Sequence, residues 1–113
     1  MREYFLAEQH IKGENGEAII LSYYLLGEEL TDPGGAALCE LYGAVIRRRS
    51  AVRAESAAVL RITALAGEIL RIVDELARCA VFPVHLEDCV QELLAKNAAD
   101  MVEKAGQTDD ILI

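Results

Sequence analysis

The sequence predicts an α+β fold. It reads as a three-stranded antiparallel meander, with 51–62 as a fourth short strand in the alternative reading, followed by two C-terminal helices packed on one face. Three observations carry this. The first half of the chain holds segments rich in Ile, Leu, Val and Tyr, separated by glycine-bearing turns. From Thr63 onward the apolar residues switch to helical spacing. Pro83 then divides that helical region in two.

Residues 3–11, EYFLAEQHI, mix apolar and polar positions in a manner that suits a strand. KGENGE (12–17) brings two glycines and an asparagine that tolerate positive φ, and so reads as a hairpin turn. Residues 18–26, AIILSYYLL, form the second strand, with both faces largely apolar. Such a strand is central in a covered sheet or faces another molecule. GEELTDPGGAA (27–37) carries the Asp-Pro-Gly-Gly breaker and is expected to be the longest loop. LCELYGAVIRRRS (38–50) is the third strand, with Gly43 marking a bulge or a close approach of backbones. The alanines of 51–62 permit helix, whereas Val59-Leu60-Arg61-Ile62 suits a strand.

Thr63 is expected to cap a helix whose buried stripe is Leu65, Ile69, Ile72, Val73, Leu76 and Ala80. Pro83 is expected to open the second helix, with Leu86, Cys89, Val90, Leu93 and Leu94 inside. The domain should therefore span 1–97. Residues 98–113 should form a C-terminal extension or tail that needs a partner to order it.

Composition bounds the function. The chain has 113 residues, 53% of them hydrophobic, yet a net charge of −8. More apolar side chains than a small monomer easily hides, together with an acidic surface, favour a homo-oligomer or a further protein partner. Residues 47–78 hold seven bases against four acids, net +3, which leaves −11 on the remainder. That acidic remainder argues against general nucleic-acid binding. The three cysteines (Cys39, Cys79, Cys89) cannot all pair within one chain, and MREYFLAEQHIK lacks the basic start and apolar run of a leader. A cytoplasmic protein with free thiols is expected. No run approaches the roughly 20 apolar residues that cross a bilayer, so no membrane role is expected.

The Tyr-Tyr-Leu step (Tyr23 to Leu25), the Tyr-Gly strand start (Tyr42, Gly43), the Ile-Thr helix entry (Ile62, Thr63) and Pro-Val-His-Leu-x-Asp (Pro83 to Asp88) form a recurring order of motifs. In this respect residues 17–96 resemble a family of small bacterial proteins of unknown function. The resemblance implies a small sheet packed by two C-terminal helices and supplies no activity. The chain departs from that pattern at Phe82, where a Ser or Thr usually precedes the proline, and at Cys89, usually an aliphatic.

Two constellations carry candidate chemistry. His85 and Cys89 fall four residues apart at the second helix entry, which suits two metal ligands. Zinc needs three or four, and Asp88, Cys79 and Glu92 are the candidates to complete the set. A thiol enzyme centred on His85 and Cys89 is the related alternative. The blander reading places Cys89 in the apolar stripe and His85, Glu87 and Asp88 at a helix start, where acids complement the positive helix end. IRRRSAVR (46–53) sets Arg47, Arg48 and Arg49 at a strand end. They suit an oxyanion or nucleic acid, a protein partner, or simply a solvated strand end that deters aggregation. No stacking aromatics or phosphate cradle accompany them. The leading expectation is a non-catalytic interaction or regulatory module, without cofactor. Its contact residues are Arg47, Arg48, Arg49, His85, Glu87 and Asp88, and its sheet is closed by a second copy.

Overall fold

Four antiparallel strands in sequential order are backed on one face by two helices, in a computed structural model that describes the backbone of residues 1–112 and the side chains of residues 1–99. The strands are β1 (Arg2–Lys12), β2 (Ala18–Thr31), β3 (Ala37–Arg49) and β4 (Ala54–Thr63). Helix α1 (Ala66–Arg78) follows, then a short 3-10 turn at Pro83–His85 and helix α2 (Leu86–Leu112). The α+β class is as expected, and 51–62 resolves largely as the fourth strand.

Each hairpin is closed by local chemistry. At the first, Gly13 N donates to Glu17 O at 2.7 Å, and Gly16 takes φ +81°, which only glycine adopts without strain. The expected long loop over 27–37 is much shorter. Gly27–Thr31 stay in β2, with Glu28 opposite Leu41 and Leu30 opposite Cys39, so that the turn is confined to 32–36. The reason is Asp32. Its carboxylate accepts from Ala36 N at 2.8 Å while its backbone N–H donates to Ala36 O at 2.9 Å, which pins a tight hairpin.

The pleat of β2 divides the molecule into two faces. Ile19, Leu21, Tyr23 and Leu25 point to the helices and are joined there by Ala44 and Ile46 of β3. Against them pack Ile69, Ile72, Val73 and Leu76 of α1 and Leu86 and Val90 of α2, all buried. Each such Leu or Ile contributes roughly 1.5–3 kcal/mol by leaving water. Tyr23 is fully buried, and its hydroxyl donates to Val81 O at 3.0 Å, which ties the segment between the helices to the middle of the sheet. Burial first, and Cys79 nearby second, push this phenol up to about 12. Gln9 adds a parallel tie from β1, donating to Ala77 O at 3.0 Å.

Both helix starts differ from expectation. Thr63 closes β4 opposite Tyr42, and α1 begins at Ala66 behind Leu65. The Thr63 hydroxyl accepts from Leu65 N at 3.1 Å and so shapes the bend before the helix. Pro83 opens the 3-10 turn, in which His85 N donates to Phe82 O at 3.0 Å, and α2 starts three residues later. The backbone of α2 runs on to Leu112. Whether 98–113 needs a partner for order turns on side chains that lie almost entirely outside the described residues.

Three bulges shape the sheet. Leu6 is the extra residue in β1 between Phe5 and Ala7, and Leu38 is the extra residue in β3. Opposite Gly43, β4 carries extra chain between Val59 and Thr63, with Arg61 at φ 55°. Gly43 permits this, since a Cβ there would meet Val59 O at 2.4 Å. At Gly27 the nearest atom to such a Cβ is the flexible end of Glu40, at 2.6 Å. Gly43→Ala is therefore expected to lower the urea midpoint by the equivalent of about 2–3 kcal/mol, and Gly27→Ala by clearly less. Equal effects at the two positions would contradict the close approach of β3 and β4.

Candidate functional site

A run of three arginines at the end of a strand cannot all face one way, because successive side chains alternate. The structure sends Arg47 and Arg49 to the open face of the sheet and Arg48 to the helix side, where it is 4% exposed. Its guanidinium lies 5.9 Å from the centre of the Phe82 ring, and its Nη2 is 3.7 Å from a carboxylate oxygen of Glu17. Nε and Nη1 of Arg48 and Oε1 of Glu17 are buried and make no hydrogen bond among the described residues. Donors and acceptor are thus complementary and adjacent. Arg48 is a buried charge paired beneath the Pro83 turn, removed from the surface that Arg47 and Arg49 present.

Arg47 organises the open face. Its Nη2 donates to Glu3, and its guanidinium sits over the Tyr24 ring, 4.6 Å from the centroid. The bond to Glu3, then that to Tyr24, raises the Arg47 pKa above its usual value. Phe5 meets Tyr24 edge-on with centroids 5.7 Å apart. Two apolar residues of this face, Leu26 and Val45, are also buried, at 5% and 6% exposure, although they lie outside the helix-side core. Phe5 (57% exposed) and Leu60 (50%) stand in water beside them. Sequence reading missed this cluster, although the doubly apolar pattern of β2 signals it.

The polar start of the second helical segment is arranged differently. His85 ends the 3-10 turn, and Glu87 and Asp88 begin α2; all three are exposed, on the helix layer and remote from the open sheet face. The turn has no side-chain cap, and its backbone bonds close it instead. Cys89 does not share a site with His85. It lines a small cleft between the helices with Cys79, Glu75 and Glu92. Cys79 Sγ donates to Glu75 at 3.7 Å. Burial, then the nearby Glu92, Asp88 and Cys79, raise the Cys89 thiol above its usual value, opposite to what a nucleophile requires. Among the described residues no three His, Cys, Asp or Glu side chains group as a metal ligand set. Elsewhere, Arg61 grips Glu28 with two bonds, at 3.1 and 3.2 Å, and this pairing holds the Glu28 carboxyl below its ordinary range.

Residues 2–96 match the model of a family of unknown function, DUF6514, and the chain belongs to that family. Neither a curated protein nor a solved structure matches it. No helix among the described residues is long and apolar enough to cross a membrane.

Two measurements check these placements. Arg48→Ala is expected to cost about 2 kcal/mol in urea unfolding, because it strands Glu17 and uncovers Phe82, whereas Arg49→Ala stays within about 0.5 kcal/mol. In thiol titration at pH 8, Cys39 and Cys79 should react first and Cys89 at least roughly tenfold later, its raised pKa and burial both reducing accessible thiolate. Cys89 reacting first would contradict its placement.

Proposed function

We propose that this member of a family of unknown function is a non-catalytic interaction module that acts as a homodimer in the cytoplasm of a bacterium. The observation that carries the reading is the second apolar cluster. Leu26, Val45, Tyr24, Phe5 and Leu60 share a sheet face that no other element covers among the described residues. Leu26 and Val45 are buried within it, while Phe5 and Leu60 stay exposed, and a four-stranded sheet seldom keeps such apolar groups in water. Arg47 and Arg49 belong to this contact surface, as charges at its centre and end.

A catalytic reading is less favoured by the geometry. The half-buried thiol of Cys89 has its pKa raised, and His85 lies outside its cleft. Three free cysteines accord with a reducing compartment. His85, Glu87 and Asp88 stay exposed on the helix layer when the sheet face is covered, and they form a separate polar patch available to a further protein partner.

Sedimentation equilibrium tests the reading. Twice the chain mass is expected at about 10 μM, since an interface of ordinary size gives micromolar or tighter affinity. A single species of chain mass across the range to about 100 μM sinks it.

A further inference from the structure

The open face has a relief that fits itself. The strand registers place its residues in rows that run across the sheet. One row is Phe5, Tyr24, Val45, Ala58; the next is Glu8, Ser22, Arg47, Ser56; a third is His10, Ile20, Arg49, Ala54. In these three rows the β1 side chains are large and exposed and the β4 side chains are Ala or Ser; beyond them Leu60 of β4, half exposed, closes the low side at one end. The face therefore carries a ridge at one edge and a depression at the other. Arg47 deepens the depression, because its guanidinium leans away from β4, over Tyr24 and toward Glu3. Two hollows open there. One is bordered by Val45, Ala58 and Leu60, the other by Arg47, Arg49 and Ser56.

We infer that a second copy seats its β1 ridge in this depression, about a two-fold axis that runs parallel to the strands between β2 and β3. This rests on the self-association reading above and specifies its geometry. Such an axis keeps rows level and sets β1 of each copy over β4 of the other, and β2 over β3. Phe5 then enters the apolar hollow over Ala58, and Tyr24 covers Val45. Glu8 enters the second hollow over Ser56, where it meets Arg49; Glu55 lines the same hollow but is paired with Arg53, and Arg47 with Glu3. A two-fold axis across the strands instead stacks ridge on ridge and the arginine column on itself.

Area and edges agree. Four strands spaced roughly 4.8 Å apart and eight residues rising roughly 3.4 Å each give a face of about 19 by 27 Å. That is roughly 500 Å² before side-chain relief, in the range of a small interface of about 600 Å² per partner. Both edge strands carry bulges, at Leu6 in β1 and around Arg61 in β4, which disrupt edge-to-edge pairing and leave the face as the route of association.

Cross-linking tests the geometry in the full chain with Cys39→Ser, Cys79→Ser and Cys89→Ala as background. Positions 8 and 56 of opposite copies should lie about 10 Å apart, the spacing of packed sheets, whereas position 8 is roughly 17 Å from its own counterpart. A short bismaleimide, able to span packed sheets about 10 Å apart but not roughly 17 Å, should therefore join a Glu8→Cys chain to a Ser56→Cys chain, and neither chain to itself. Ala58→Arg fills the hollow from an exposed position, so it should weaken association by at least roughly tenfold with an unchanged circular dichroism spectrum. Efficient cross-linking of Glu8→Cys chains to one another overturns the axis. So does wild-type affinity in Ala58→Arg, even with dimerisation intact. A wild-type chain that sediments as a monomer instead removes the self-association reading itself.

Discussion

The period-two pleat of β2 is the constraint from which the rest follows. It sends Ile19, Leu21, Tyr23 and Leu25 to one side and Ile20, Ser22, Tyr24 and Leu26 to the other, so the strand has only Ser22 among these to turn to water on its second face. The helices satisfy the first side. Tyr23 fixes where they sit, because a buried hydroxyl must find an acceptor and Val81 O is the one in reach. That bond anchors the chain between α1 and the Pro83 turn, and hence the approach of both helices to the sheet. The second side carries an aromatic pair, a cation–π contact and an ion pair, beside which Leu26 and Val45 are buried while Phe5 and Leu60 stay exposed.

Much of this was legible in the sequence. The glycine-bearing turns, the switch of period near Thr63 and the break at Pro83 follow from local preferences, and these govern where elements exist. Gly43 was legible as a close approach because glycine inside a strand has few other uses. The length of the second hairpin was not. Asp-Pro-Gly-Gly announces a turn, but that Glu28 to Thr31 would pair with β3 depends on a ladder between residues distant in sequence. The helix starts shifted by two or three residues for a similar reason. Thr63 is claimed by the sheet, and proline's fixed φ serves a 3-10 turn as well as an α-helix.

The candidate site shows the same division. Arg47, Arg48 and Arg49 read as one basic patch when counted as composition, yet parity alone separates the middle one from its neighbours. Which side is buried could not be read from those three letters. It follows from Leu21, opposite Arg48, belonging to the core face. His85 and Cys89 looked like a pair because a continuous α-helix aligns positions four apart. His85 ends the exposed 3-10 turn, whereas Cys89 lines the cleft between the helices with Cys79.

The central claim is that the uncovered apolar side of β2 is closed by another copy of the chain, ridge into depression. An isotope-filtered NMR experiment on a mixture of labelled and unlabelled protein addresses this at the atoms concerned. The account predicts intermolecular contacts between the Phe5 ring of one copy and the Ala58 methyl of the other. Intermolecular contacts confined to the helix layer, or none at concentrations where the open face should be occupied, contradict it.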